Sequence, residues 1–261
     1  MIHTALSIAG SDPAGGAGIQ ADLKTFASLN VYGMSVIAAL TAQNTVGVRD
    51  VLPIAAEFVA SQLDSVMTDI VPHAIKTGML GTGAAVEVVA QRLRKYSVDH
   101  LVVDPVMVSS SGTHLLDHPG EDALKRHLLP LALLVTPNLT EAGVLTGVDV
   151  IDLASMEEAA RRLHRMGARH VLVKGGHLDG DSALDVYFDG TKTEQLSAPR
   201  VYTTDTHGTG CVLSAAITAY LSRGLSVYDA VVNGKAFVTE SIRTSLRLGK
   251  GSGPVNAGLR E

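Results

Sequence analysis

The stretch Thr4-Ala5-Leu6-Ser7-Ile8-Ala9, then Gly10-Ser11-Asp12-Pro13-Ala14-Gly15-Gly16-Ala17-Gly18, then a segment bearing Ile19, Leu23 and Phe26, sets the architecture. The first six residues read as a buried strand and the next nine as a loop. The spacing of the three apolar residues reads as the inner face of a helix. Similar units recur. Phe58, Leu63 and Val66 suit a helix, Ala74 to Thr77 a strand, Val86 to Leu93 a helix, and Leu101-Val102-Val103 a strand. Leu133-Leu134-Val135 and Val171-Leu172-Val173 are further short apolar runs. Between them Met156, Ala159, Ala160 and Leu163 share a helix face, with Glu157 and Arg161, then Glu158 and Arg162, paired outside at i,i+4. Short β-branched runs alternating with helices imply a parallel sheet covered on both faces, whose ligands collect at the carboxyl ends of the strands. Ser35 to Leu52 reads as two strands without an intervening helix, a small flap or edge element. No linker, repeat or low-complexity stretch interrupts the pattern, so one α/β domain over residues 1–261 is expected.

Composition narrows the function classes. Hydrophobic residues make up 46% of the 261, ample for a sizeable core. The formal charge of −5, the lack of a basic run and only 4% aromatics argue against nucleic acid or anionic membrane as partners. The single cysteine makes no internal disulfide and no cysteine zinc cluster, so a reducing, cytoplasmic setting is expected. Thr25 to Val48 lacks Asp, Glu, Lys and Arg, but Asn30, Tyr32, Gly33, Thr41, Gln43, Asn44 and Thr45 divide it into pieces too short to span a bilayer. No basic region precedes the first apolar run, so no secretory signal is expected.

The cysteine sits at a notable junction. Thr203-Thr204-Asp205-Thr206-His207-Gly208-Thr209-Gly210-Cys211 runs directly into Val212-Leu213-Ser214-Ala215-Ala216-Ile217. A glycine loop that opens an apolar helix places the free backbone N–H groups of Gly208, Thr209, Gly210 and Cys211 around one point, where the helix dipole also favours an anion. A phosphate in transit fits there; small residues packed tightly at a helix start are the other explanation of Gly-Thr-Gly. At such a position the Cys211 thiol is expected to have a lowered pKa and to be capable of taking a proton from a hydroxyl group.

The polar residues just beyond the other strands form a matching set. They are Gly10-Ser11-Asp12, Lys76-Thr77-Gly78-Met79, Asp104-Pro105-Val106-Met107, Thr136-Pro137-Asn138-Leu139-Thr140-Glu141 and Lys174-Gly175-Gly176-His177. Each has an ordinary explanation: Asp104 a turn cap before proline, Glu141 a first-turn acid, Lys174 a solvated charge. Together, two carboxylates, an amide, a lysine and a glycine anion loop are what phosphoryl transfer from Mg-ATP needs, because that reaction is carried by charge neutralisation and metal placement.

With these residues the chain closely resembles the hydroxymethylpyrimidine and phosphomethylpyrimidine kinases of thiamine biosynthesis, in the ribokinase-like superfamily. The resemblance runs from Ile8-Ala9-Gly10-Ser11-Asp12 through Gly15-Gly16-Ala17-Gly18-Ile19-Gln20-Ala21-Asp22-Leu23-Lys24-Thr25 to Gly253-Pro254-Val255. Ala42-Gln43-Asn44-Thr45, Lys76-Thr77-Gly78-Met79-Leu80, Asp104-Pro105-Val106-Met107, Val173-Lys174-Gly175-Gly176-His177-Leu178 and Thr206-His207-Gly208-Thr209-Gly210-Cys211 carry its specificity. Cys211 stands where many superfamily members have a catalytic Asp, as in the pyrimidine kinase branch and some related pyridoxal kinases.

The resemblance implies a three-layer α/β/α sandwich with a mostly parallel central sheet and a small β flap. It implies that ATP phosphorylates 4-amino-5-hydroxymethyl-2-methylpyrimidine to its monophosphate and then to the pyrophosphate, with pyridoxal as a side substrate. By resemblance, Gly208, Thr209, Gly210 and Cys211 form the anion hole, Asp104 and Glu141 organise Mg²⁺ through water, and Asn138 and Lys174 attend the ATP phosphates. Gln43 faces the pyrimidine, and Gly10, Asp22, Met79 and Val106 complete the substrate wall. An amide at 43 offers one acceptor and two donors, a match for an exocyclic amine beside a ring nitrogen. A homodimer with flap strands at its interface is also implied.

Two other readings compete. Gly16-x-Gly18-x-x-Ala21 matches the dinucleotide fingerprint of an NAD-dependent dehydrogenase, but the acid expected about 20 residues on is missing from Ala39-Leu40-Thr41-Ala42-Gln43. A non-catalytic vitamin sensor is the second, opposed by the intact Asp104, Glu141, Lys174 and Cys211. His114 and His118 have helical metal-ligand spacing, yet Asp117, Pro119 and Gly120 point to a loop there. His207 suits either contact with a ligand or a structural role.

Overall fold

A computed structural model describes residues 2–109, 112–176 and 180–258; His177 and Leu178 of the Lys174 motif lie outside the described residues. The strands are β1 (Thr4–Ser11), β2 (Tyr32–Asn44), β3 (Gly47–Pro53), β4 (Ala74–Thr77), β5 (Leu101–Val103), β6 (Leu134–Val135), β7 (His170–Lys174), β8 (Ser182–Phe188) and β9 (Thr193–Pro199). The helices are α1 (Gly18–Ser28), α2 (Ala56–Met67), α3 (Gly83–Lys95), α4 (His118–Ala123), α5 (Leu139–Thr146), α6 (Leu153–Arg165), α7 (Thr209–Ser222) and α8 (Val227–Arg243). One sheet joins the strands in the order β3-β2-β1-β4-β5-β6-β7-β8-β9.

The central strands bury both faces because both are covered by helices. Ile75, Leu101, Val103, Val135, Val171 and Val173 point into a core shared with α2, α3 and α6. The residues between them, Ala74, Val102, Leu134 and Leu172, point the other way, into a core shared with α7 and α8. This alternation is the period-two geometry of a strand, and it yields the three layers that the resemblance implied. Helix α7 has ten buried residues among its 14 and is apolar around nearly its whole circumference, so it packs against the sheet, α1 and α8 at once.

Six adjacent strands from β2 to β7 are parallel, so the residues following β1, β4, β5, β6 and β7 emerge along one edge. The strand over Ala74–Thr77, the strand over Leu101–Val103, the buried face Met156, Ala159, Ala160 and Leu163, and both outer ion pairs of α6 appear as expected. Ser35 to Leu52 does form two antiparallel strands, the outer part of β2 with β3.

The sheet is mostly parallel, as expected, and β8 and β9 add an antiparallel hairpin to its far side. The helix expected around Phe58, Leu63 and Val66 is α2, whose buried stripe is Val59, Leu63 and Met67; Phe58 lies a quarter-turn off it and is 60% exposed. His118 is the first residue of α4 and not part of a loop; Asp117 caps that helix by accepting from the N–H of Gly120.

A buried charge pair lies beneath the strand ends. Lys76 on β4 and Asp22 on α1 are both fully buried, 2.7 Å apart, and the Ser7 hydroxyl donates to the other Asp22 oxygen. Burial opposes the charge on Lys76, but the neighbouring Asp22 carboxylate holds the ammonium above its ordinary range. Removing one partner strands the other charge in the interior. Asp22→Asn should therefore lose about 3–5 kcal/mol in urea unfolding, while Asp22→Leu with Lys76→Met together recovers most of it. A single variant within about 1 kcal/mol of the wild type would show that Lys76 needs no counter-charge.

Candidate active site

A cleft of about 1860 Å³ follows the carboxyl edge of the sheet. Taken in strand order, its wall begins with Thr41 and Gln43 of the flap, continues through Gly10 and Met79 to Asp104 and Val106, and passes Asn138 and Glu141 to Lys174. Beyond Lys174 the wall is made by Asp185 of β8, Arg200 to Thr204, and Lys235, Val238 and Ile242 of α8. Gly208, Thr209, Gly210 and Cys211 also face it.

The start of α7 is open by construction. Gly208 is its N-cap with φ +83°, and no side chain caps the helix. The Thr209 N–H is directed to the Thr206 carbonyl at 3.2 Å, so it is less free than the sequence suggested. Among the described residues, the N–H groups of Gly210 and Cys211 meet no protein acceptor. They are orphan donors at a helix amino end, the arrangement that binds an anion.

Charge converges on this point. A side chain at Gly210 would lie 3.3 Å from Lys174 Nζ and 3.8 Å from Asp104 Oδ2, so glycine there leaves the space between loop, lysine and carboxylate open. Lys174 donates to Asp104 Oδ1 at 3.0 Å; Thr136 lies 3.2 Å from the same oxygen, and Ser214 of α7 lies 3.0 Å from Oδ2. Burial opposes the Lys174 charge, but Asp104 and Glu141 hold its pKa up at about 12. Burial pushes Glu141 up to about 7 against the pull of Lys174. Glu141 and Asn138 are locked to each other as the capping box of α5: Glu141 Oε2 accepts from the Asn138 N–H at 2.8 Å, and Asn138 Oδ1 accepts from the Glu141 N–H at 2.9 Å. The first-turn acid and the site acid are thus the same residue.

Of the thirteen expected site residues, twelve line this cleft and Asp22 does not. The phase of α1 turns Asp22 toward Lys76 and Ser7, behind the substrate wall. The Cys211 thiol also departs from expectation. Two helix amino ends do approach it, since it belongs to the first turn of α7 and the Gly18 backbone at the start of α1 acts to lower its pKa. Burial nevertheless dominates and pushes its pKa up to about 11, with Lys76 pulling down and Asp22 and Asp104 pushing up. The thiol is therefore neutral at pH 7. His114 is bridged to Val108 while His118 is 92% side-chain exposed, and no metal-holding group of three or more His, Cys, Asp or Glu is found among the described residues.

Sequence reasoning missed Ser214, Thr136, Asp185 and Lys235. Asp185 joins two elements: it accepts from the Gly175 N–H at 2.9 Å and from Lys235 Nζ at 2.6 Å, fixing the backbone next to Lys174. Lys235 lies on a helix for which no periodic signal was read, and its partner lies on the antiparallel hairpin.

A model of the phosphomethylpyrimidine kinase family matches residues 12–256. The hydroxymethylpyrimidine/phosphomethylpyrimidine kinase of Bacillus subtilis (strain 168) is 44% identical over 256 residues, spanning 98% of this chain and 94% of that protein. The thiamine biosynthesis bifunctional protein ThiED of Geobacter sulfurreducens is 49% identical over 251 residues, covering 96% of this chain and 51% of that relative, so the chain spans about half of its length. The structure of the pyridoxal kinase from Staphylococcus aureus in complex with AMP-PCP and pyridoxal superposes with a TM-score of 0.90 at 39% identity, covering 99% of this chain and 94% of that one. With the glycine loop, the strand-end residues and full-length similarity in agreement, the chain belongs to the phosphomethylpyrimidine kinase family.

Proposed function

We propose that this chain is one kinase unit that uses ATP to phosphorylate 4-amino-5-hydroxymethyl-2-methylpyrimidine and then its monophosphate, in thiamine biosynthesis. The observation that carries the reading is the convergence of Lys174, Asp104 and Ser214 on the uncapped start of α7. The names of its full-length relatives supply the substrate class. Binding of AMP-PCP and pyridoxal by a solved neighbour favours pyridoxal as a second, slower substrate.

In this mechanism the acceptor lies beside Gln43, Gly10, Met79 and Val106, with its hydroxymethyl oxygen directed at the Gly208–Cys211 loop. The triphosphate enters from the Lys174 side. The Gly210 and Cys211 N–H groups and the Lys174 ammonium meet the charge of the transferring phosphoryl group, which spreads over its oxygens in a loose transition state. Asn138 lies at the start of α5, close to the phosphates.

The residues fit Mg²⁺ held through water. Both Asp104 oxygens already have protein partners, and Glu141 Oε2 is taken by the Asn138 N–H, so neither carboxylate is stripped for direct ligation. That donor set suits a cation that keeps several waters and takes phosphate oxygens for the rest. When bound, the ion supplies charge neutralisation between the phosphates. We place the enzyme in the cytoplasm on its single free cysteine and propose a homodimer through the flap, where Val46 and Leu52 are exposed on or beside the outer strand β3.

Cys211 is not the resting base in this mechanism. A thiol raised to about 11 is protonated from pH 7 to 9, and a loose transition state needs little early proton removal. Cys211→Ala should keep a single-turnover rate within about tenfold of the wild type, and the wild-type rate should show no thiol ionisation between pH 7 and 9; a loss of about 10²-fold or more would restore the base role.

The substrate reading is tested by ADP release and product mass with hydroxymethylpyrimidine, its monophosphate, pyridoxal and ribose. Hydroxymethylpyrimidine and its monophosphate should be turned over fastest and ribose not at all. Gln43→Leu should lower kcat/KM for hydroxymethylpyrimidine by about ten- to a hundredfold, since it leaves the aminopyrimidine edge unpaired, and lower pyridoxal turnover less. Equal losses on both acceptors from a folded variant would remove Gln43 from pyrimidine recognition.

A further inference from the structure

The feature that the mechanism leaves unused is the ring of His207, the residue immediately before the phosphate loop. His207 and Asp12 are 6% and 2% exposed, and His207 Nε2 lies 2.9 Å from Asp12 Oδ2. Asp12 also accepts the N–H groups of Ala14 at 2.9 Å, Gly16 at 3.1 Å and Ala17 at 2.9 Å. Although burial opposes its charge, His207 and these amides hold Asp12 below the ordinary carboxylate range. An ionised Asp12 requires the hydrogen to reside on His207 Nε2.

The backbone of His207 is fixed as firmly as its ring. Its N–H donates to the Gly253 carbonyl, and its own carbonyl accepts from the Val255 N–H, both at 3.1 Å. Its ring fills the space over Gly16 that a side chain would occupy, next to Pro254. One residue on, a Cβ at Gly208 would collide with the Gly16 carbonyl oxygen, so the two glycine loops touch through their main chains. Gln43 closes the set, its Nε2 3.3 Å from His207 Nε2. Since that ring hydrogen is committed to Asp12, two donors face each other there, and the Gln43 amide gains little from His207. The Thr41 hydroxyl, 3.3 Å from Gln43 Oε1, is better placed to donate to the Ser11 carbonyl at 2.9 Å. The Gln43 amide therefore retains its hydrogen-bonding capacity for a ligand.

We infer that His207, clamped by Asp12, is a positioning residue that sets the Gly208–Cys211 phosphate loop against the acceptor held at Gln43. The role rests on the kinase reading above, but not on which acceptor is used. The ring touches the acceptor side through Gln43 and Gly16, while its peptide begins the loop that meets the phosphate. A displacement of about 1 Å in that loop moves the orphan donors off the transferring group and costs about 10²-fold in rate without weakening either ligand's binding.

The test compares His207→Phe, which keeps ring volume but not the donor, with His207→Gln, whose amide nitrogen restores a donor at similar reach, and with Asp12→Asn. Single-turnover phosphoryl transfer is measured with hydroxymethylpyrimidine and, separately, with pyridoxal, alongside ADP affinity, acceptor affinity and melting temperature. His207→Phe should slow transfer by about 10²-fold with both affinities within about threefold of wild type, and His207→Gln should recover at least about tenfold of that loss. Asp12→Asn with His207→Phe should be no slower than the slower single variant, as expected of two groups that act as a unit. A His207→Phe rate within threefold of wild type overturns the inference. So does a parallel loss of rate, both affinities and melting temperature, which would mark a purely structural contact. A wild type that phosphorylates pyridoxal alone would overturn the acceptor assignment while the His207 comparison still runs on pyridoxal; one that phosphorylates neither would overturn both.

Discussion

The constraint on which the site depends is the main-chain contact between two glycine loops. Position 208 has φ +83° and faces the Gly16 carbonyl at a distance that excludes any side chain. Because of this contact, the start of α7 lies directly against the start of α1, close enough for the Gly18 backbone to act on the Cys211 thiol. Gly18 is constrained in the same way, with φ +55° and no room for a Cβ beside the Gly10 carbonyl. A ligand in the cleft thus meets two helix amino ends joined by backbone alone. Side-chain caps close α3, α4, α5, α6 and α8 and are missing from α1, α2 and α7, of which α1 and α7 open onto the cleft. At α7 the Gly210 and Cys211 donors that a cap would consume stay open, which the proposed mechanism uses for the phosphoryl group.

Electrostatics explains why the neighbouring polar groups are so thoroughly paired. Lys76, Asp22, Asp104, Lys174 and Glu141 all lie at or just behind the cleft wall, and all but the partly covered Lys174 are nearly or fully buried. Isolated, each charge would be too costly in such surroundings. Asp22 pairs with Lys76 and Asp104 with Lys174, and Glu141 has no ion pair of its own; burial raises its pKa, with Asp104 adding to the rise and Lys174 opposing it. The pairing is made entirely by protein groups. Hydroxyl groups of Ser7, Thr136 and Ser214 occupy lone pairs that would otherwise face apolar core.

Much of this was legible in the chain, for identifiable reasons. Parallel strands with both faces buried announce themselves as short apolar runs, and the parallel order forces their polar followers to one edge, so Asp104, Asn138, Glu141 and Lys174 were locatable without coordinates. The hairpin of β8 and β9 was not, because Ser182–Phe188 and Thr193–Pro199 mix polar and apolar residues without a compelling repeat. Asp22 was misplaced because one helical step decides whether a carboxylate meets the cleft or the core, and motif spacing does not reveal that phase. Cys211 was misjudged for a different reason. A helix amino end can be read from glycines, whereas the burial that outweighs it, and the fields of Asp22 and Asp104 that add to it against Lys76, come from parts of the chain far apart in sequence. The Asp12–His207 pair spans 195 positions and has no local signature.

The same charge pattern gives a physical reason for cysteine at position 211. An aspartate at this place would add a carboxylate to a group that already contains Asp22, Asp104 and Glu141 against two lysines. The field of Asp22 and Asp104 already pushes the thiol upward, and it would act on a carboxyl in the same sense. A thiol accepts that field by remaining neutral. It adds no negative charge beside Gly18, and in the proposed mechanism the negative charge of the site is set by the arriving phosphates. Under the mechanism proposed above, neutrality at 211 favours an anionic ligand at the orphan N–H groups and Lys174, and the work of the loop becomes holding the transferring group in place instead of removing a proton.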